Sequence, residues 1–178
     1  SQRTALPVPS PWAVAAADRF SAAVGAQDGV RRVDVPWLTQ RVQQGGNLYL
    51  VDVRTQQEYE AGHIPGFQWV PGGQAVQRAE DVIGIRSGAI VFCCDGAARA
   101  TVSAGWYRQM GYPEAYVLDG GVTAWRAAQR PLETGPLPDA VFGLAEAQNA
   151  IRAVSPRQLA EQRAGAASPL VLHVGSSR

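Results

Sequence analysis

Apolar positions change period several times along the chain, and each change marks an element. Ser10-Pro11 reads as an N-cap followed by the first helical residue. Trp12, Ala16, Phe20 and Val24 then share one face, which predicts a helix stopped by Gly25. After the polar stretch Gln27 to Arg32, Pro36 opens a second helix whose apolar side carries Trp37, Leu38 and Val42 and which Gly45-Gly46 close. Leu48 to Val53 is a nearly continuous apolar run, as expected of a parallel strand buried on both faces. A short helix over Gln56 to Ala61 ends at Gly62, Phe67 to Val70 forms a brief strand, and Gly72-Gly73 introduce a helical segment with Ala75, Val76 and Val82. Ala89 to Cys93 is another fully buried strand. Ala98 to Met110 follows as a helix with Ala98, Val102, Gly105, Trp106 and Met110 on one side and Gly111 as its stop. Ala115 to Leu118 is the last strand, and Gly120-Gly121 lead into a helix containing Trp125. Strand and helix alternate, which predicts an α/β fold: a parallel sheet with helices on both faces and the reactive site beyond the carboxyl ends of the strands.

The end of the chain repeats its own opening. A shift of 121 residues lays Val154 on Val33 and Val174 on Val53, and Leu159 stands fourteen residues before His173 as Leu38 does before Asp52. Pro169 to Val174 then repeats the strand character of Leu48 to Val53, so the C-terminal stretch is read as the start of a second copy.

Composition narrows the chemistry. With 178 residues the chain exceeds one average domain, and 46% hydrophobic with 17% charged residues is globular rather than disordered or collagenous. All 16 basic residues are Arg, dispersed against 15 acidic ones, so no basic stripe for nucleic acid or membrane is present. The lack of Lys excludes a Schiff-base enzyme, a Walker-type phosphate loop and a lysine general base from this chain. No apolar run approaches the roughly 20 residues that span a bilayer. The two cysteines, Cys93 and Cys94, are adjacent and cannot staple distant segments, which favours a reducing compartment; the expected location is cytoplasmic. Two isolated histidines, His63 and His173, do not make a zinc site, and neither metal nor cofactor is expected.

One constellation carries chemistry. A buried strand ends in Cys93-Cys94, the loop Asp95-Gly96-Ala97-Ala98 follows, and Arg99 stands at the start of a helix. Loop amides and a helix N-terminus favour a thiolate or a bound anion, and the small loop residues leave those amides accessible. Two buried, inert cysteines beside a solvated Arg99 account for the spacing equally well. Asp52, Arg54 and Glu58 read as a helix cap with a local salt bridge. His63 reads as a hydrogen-bonded anchor in a turn, and Trp106 and Trp125 as core.

Asp52 through Gly66, with Asp52-Val53-Arg54 and Gly62-His63-Ile64-Pro65-Gly66 at its ends, resembles the first signature of rhodanese domains. Gly111-Tyr112, then Tyr116 through Gly121, then Trp125 is similar to their closing signature. The resemblance covers about residues 30 to 133. It implies a rhodanese-like fold with a five-stranded parallel sheet flanked by helices, and a cysteine-centred loop that carries a persulfide sulfur from a small-molecule donor to a thiol or cyanide-like acceptor. Within the family it is strongest toward bacterial proteins that string several such domains together, so neighbouring repeats are expected partners. The family's six-residue loop fits Cys94-Asp95-Gly96-Ala97-Ala98-Arg99, and Gly111 lies seventeen residues after Cys94, the spacing typical of the family's catalytic cysteine. The resemblance therefore assigns Cys94 as nucleophile, Asp95 to Arg99 as persulfide- and anion-binding loop, Arg99 as partner of an anionic donor, and Cys93 as buried wall. Counted from Cys93, Arg99 instead fits the seven-residue loop of the related dual-specificity phosphatases, which leaves a phosphatase or arsenate-handling enzyme as an alternative. Asp95 stands where efficient thiosulfate enzymes often carry a cation; its carboxylate repels anionic donors and favours a third reading, a binding or regulatory module with little turnover. The expected organisation is an N-terminal helix and linker (1–29), the rhodanese-like domain (30–133), a linker helix (134–154) and a truncated second repeat (155–178).

Overall fold

The computed structural model describes residues 8–136, 148–165 and 168–172. The chain divides into two units at about residue 137. In the first, five strands, β1 (Arg31–Val33), β2 (Leu48–Asp52), β3 (Gln68–Trp69), β4 (Ala89–Cys93) and β5 (Ala115–Leu118), form one parallel sheet in the order β1-β5-β4-β2-β3. Seven helices accompany it: α1 (Pro11–Gln27), α2 (Val35–Gln44), α3 (Gln56–Ala61), α4 (Gly72–Gln77), α5 (Ala79–Val82), α6 (Ala98–Gln109) and α7 (Gly121–Ala127).

Strand alternation sorts the core into two layers. Ile90 and Phe92 of β4, with Cys94 just beyond it, face one layer, joined by Val51, Ala100, Ala104 and Tyr107. Val91 and Cys93 face the other, with Val33, Leu38, Leu118, Val122 and Trp125. All five residues of β4 are buried because helices cover both faces, which is why its sequence carries no polar alternation.

The bounds of α3, β4 and β5 are those the sequence predicts. Elsewhere the structure corrects it. Within the polar stretch Gln27 to Arg32 begins β1, an edge strand on β5 whose outward Arg31 and Arg32 reach Glu114 and Asp119, each at 2.8 Å. α2 begins at Val35, one residue before Pro36, and Asp34 caps it, its carboxylate accepting from the Trp37 amide at 2.8 Å. Gly25 does not stop α1, which runs on to Gln27. Nor is the face of Trp12 and Phe20 buried: these side chains are 75% and 62% exposed, and Trp106 on α6 is 51% exposed. Between α1 and α6 the contact is made by small residues instead. A Cβ on Gly25 would stand 3.3 Å from Thr101 Cγ2, and one on Gly105 would stand 2.5 Å from an Asp28 carboxylate oxygen and 3.1 Å from Val24 Cγ1. Glycine lets the two helix axes approach, and large apolar residues there would hold them apart.

The second unit contains α8 (Pro156–Ala164), opened by a capping box in which the Ser155 hydroxyl accepts from the Gln158 amide and the Gln158 side chain accepts from the Ser155 amide. Residues 168–172 are in neither helix nor strand, and His173 and Val174 of the expected second copy lie outside the described residues. No helix among the described residues is long and apolar enough to cross a membrane.

Candidate functional site

β4 ends at Cys93, and the loop Cys94 to Ala97 turns directly into α6. No side chain caps α6: its N-cap position is Ala97, which offers no acceptor. The orphan amides of the first turn are thus left for another partner, and the backbone N–H groups of Ala100 and Gly96 are directed at the Cys94 sulfur. On the other side the loop supplies what α7 lacks. Gly120, its N-cap, is left-handed with φ +67° and has no side chain to offer. The Cys94 carbonyl accepts from the Val122 amide at 2.8 Å and the Asp95 carbonyl from the Thr123 amide at 3.2 Å. A trans peptide holds its C=O and N–H antiparallel, so anchoring these two carbonyls on α7 aims the Asp95 and Gly96 amides the opposite way, into the hollow of the loop.

The two cysteines have different surroundings. Cys93 is fully buried in the layer of Val33, Leu38 and Trp125, close to the Asp52 carboxylate. Burial first, then the Asp52 carboxylate, pushes its pKa well above the usual 9.0. Cys94 lies in the opposite layer under the loop amides. Burial raises its pKa as well, the Ala100 and Gly96 amides oppose that rise, and the nearby Asp95 carboxylate adds to it more than Arg99 offsets.

Arg99 is not free to meet an anion as the sequence suggests. Its guanidinium donates to both Glu58 oxygens, at 2.7 and 2.9 Å, and to Asp95 at 2.9 Å. Glu58, which the sequence places in a local capping role with Asp52 and Arg54, does close a capping box with Thr55, the true N-cap of α3, but its charge is spent on Arg99, 41 residues away. Asp52 and Arg54 form a buried bidentate pair of their own, with contacts of 2.7 to 3.1 Å, and Arg54 also reaches the Gly62 carbonyl at 2.8 Å. His63 is an anchor, as expected: its ring stacks on Tyr59 at 3.8 Å, Nδ1 lies 3.0 Å from the Tyr59 carbonyl, and its backbone exchanges two hydrogen bonds with Glu133. Trp125 is core and Trp106 is not.

The Arg99 hydrogen bond, helped by Thr55, lowers the Glu58 pKa from 4.5 to about 2. A carboxylate whose pKa is depressed on folding stabilises the fold above its unfolded value and loses that contribution as pH falls toward its folded one. Since the Glu58 side chain is 37% exposed, solvent screening reduces the effect to roughly 1 kcal/mol. Glu58→Gln is therefore expected to be less stable than the parent above pH 4.5 and to converge with it toward pH 2. Urea unfolding across that range reads the difference, and a gap that does not change with pH would remove this role for Glu58.

A cleft of about 800 Å³ opens over the loop, between Asp95 to Arg99, Thr55, Gln57, Glu58 and Ala61 on one side and the first half of α1 on the other. Sequence reasoning did not bring α1, Glu58 or the Ala100 amide to this site. The Thr55-x-x-Glu58 capping box was the one local signal available. A second hollow of about 500 Å³, lined in part by Arg78, Arg86 and Tyr112, contains neither cysteine nor histidine. No cluster of metal-ligating side chains occurs among the described residues.

Known proteins agree with this architecture. The family of rhodanese-like domains matches residues 34–128. An HTH-type transcriptional regulator of Mycobacterium tuberculosis is 35% identical over 125 residues, 69% of this chain and 51% of that protein. A sulfurtransferase of Allochromatium vinosum is 29% identical over 103 residues, 58% of this chain and 94% of that one. Among solved structures, the thiosulfate sulfurtransferase from Pseudomonas aeruginosa superposes with a TM-score of 0.60 at 22% identity, over 83% of this chain and 28% of that one. This chain thus spans about half of the mycobacterial relative and under a third of that solved structure.

Proposed function

The chain belongs to the rhodanese-like family, and from that membership we propose that residues 30–133 form a sulfurtransferase domain working through a Cys94 persulfide. The observation that supports this most is the placement of the Cys94 sulfur under the Gly96 and Ala100 amides, while Cys93 lies in the opposite core layer. The Cys94 thiolate attacks the outer sulfur of a donor. With thiosulfate the S–S bond breaks, sulfite leaves with the bonding pair, and the transferred sulfur remains on Cys94 as a persulfide. An acceptor thiolate or cyanide then attacks the terminal sulfur and restores the Cys94 thiolate. The loop amides from Asp95 to Ala100 stabilise the anionic sulfur throughout, as fixed dipoles that need no reorganisation. Arg99 contributes chiefly by neutralising Glu58 and Asp95, which hold it.

The test is tandem mass spectrometry after incubation with thiosulfate, mercaptopyruvate or an organic persulfide. One extra sulfur atom on Cys94 is expected, and sulfur on Cys93 alone would overturn the assignment. The Arg99 clamp and the raised Cys94 thiol favour one second reading, a binding or regulatory module with little turnover, which loading by none of these donors would establish. We also propose that residues 155–178 open a second repeat, a reading supported by Ser155 capping α8 as Asp34 caps α2, and that the protein is cytoplasmic, which its two free adjacent thiols support.

A further inference from the structure

The cleft above the loop has two unlike walls. One is polar and acidic: Glu58 and Asp95 already share the guanidinium of Arg99, and Asp18, midway along α1 on the facing wall, adds a third carboxylate to the lining against that single cation. The other belongs to α1 and the residues before it and, Asp18 apart, is apolar, with Val8, Pro9, Ala13, Val14 and Ala17; Val8 is 92% and Val14 48% exposed, facing a cleft large enough for a drug-sized molecule. A dianion such as thiosulfate meets net negative charge on one side and gains nothing from the other. From this pairing we infer that the sulfur donor is a small organic persulfide with an apolar substituent and at most one charge, its substituent lying along the α1 wall and its terminal sulfur at the loop Asp95 to Arg99, beneath which Cys94 is buried.

The inference rests on the sulfurtransferase reading above and adds to it the class of donor. The step balances without any further reactant. The Cys94 thiolate pair forms the new bond to the terminal sulfur of R–S–SH, the S–S bond of the donor breaks, and its pair leaves on R–S⁻; the sulfane sulfur changes carrier with no net oxidation. Contact with the apolar wall favours R by roughly four-fold per buried methylene. α1 reaches this position because Ser21, Gly25 and Gly105 let it lie close against α6, which explains why its large apolar side chains are left outside that contact.

The experiment measures Cys94 sulfur loading by intact-mass kinetics with benzyl persulfide, glutathione persulfide and thiosulfate, each rate divided by that donor's rate with a small thiol. Benzyl persulfide is expected to exceed both others by about fifteen-fold, the equivalent of two buried methylenes. The double variant Val14→Asn/Ala17→Asn, checked for folding by circular dichroism, is expected to reduce that preference at least several-fold. Equal normalised rates, or a preference that survives the double variant, would overturn the inference. Loading by thiosulfate alone overturns it while leaving the sulfurtransferase reading intact, whereas loading by no donor removes both.

Discussion

Replacing Cys94 by serine is expected to abolish sulfur loading completely, whereas Cys93→Ser keeps it and loses stability instead. The two residues are neighbours in sequence but lie on opposite faces of the sheet, because successive side chains on an extended backbone alternate. Cys94 is the residue whose sulfur receives the Gly96 and Ala100 amides. A serine there cannot form a persulfide, and no second thiol can reach those amides, since Cys93 is buried in the opposite layer with Val91, Leu118 and Val122. In Cys93→Ser the hydroxyl can donate to the nearby Asp52 carboxylate, so the cost is that of a more polar group in an apolar layer, about 1 to 2 kcal/mol. Loading by mass spectrometry and unfolding by urea separate the two effects. Loss of loading in a folded Cys93→Ser would reverse the assignment. Phosphate-ester hydrolysis that survives Cys94→Ser but not Cys93→Ser would point to the phosphatase alternative.

How far the sequence discloses this depends on what holds each part in place. β4, β5 and α3 are legible to the residue because continuous burial in β4, near-continuous burial in β5 and a local capping box in α3 determine them. β1 is not, because an edge strand with two outward arginines looks like a polar loop until β5 is alongside. Neither is the packing of α1 on α6: the contact depends on Ser21, Gly25 and Gly105, which carry no hydrophobic signal, while Trp12, Phe20 and Trp106 carry a strong one and remain exposed. In the site, the loop Cys94 to Arg99 is contiguous in the chain, and the resemblance to rhodanese domains outlines it where spacing alone leaves two inert cysteines equally open. The Arg99 partner Glu58 comes from another element, and the apolar wall comes from a helix that lies outside the family's matched residues, so neither is legible from the loop.

Gly121→Ala is expected to do more damage than any other single-methyl addition in the domain. Gly121 begins α7 with φ +51°, a conformation that costs a non-glycine residue about 1 kcal/mol or more. The space is the larger problem. A Cβ would lie 2.1 Å from the Cys94 carbonyl oxygen and 2.7 Å from that of Gly96, distances that backbone atoms cannot tolerate. Loop and helix must separate, which breaks the Val122 bond to Cys94 and the Thr123 bond to Asp95. Those bonds orient the peptides whose amides face the hollow, so stability and chemistry are lost together. The expected destabilisation is about 4 kcal/mol, the upper range for a point substitution, and sulfur loading is expected to fall by at least two orders of magnitude even in the folded fraction. Gly73→Ala, where a Cβ meets nothing within 4 Å, is the matched control and is expected to be close to neutral. A Gly121→Ala protein with parental stability and loading would show that the contact between the Cys94 loop and the start of α7 does not orient the site.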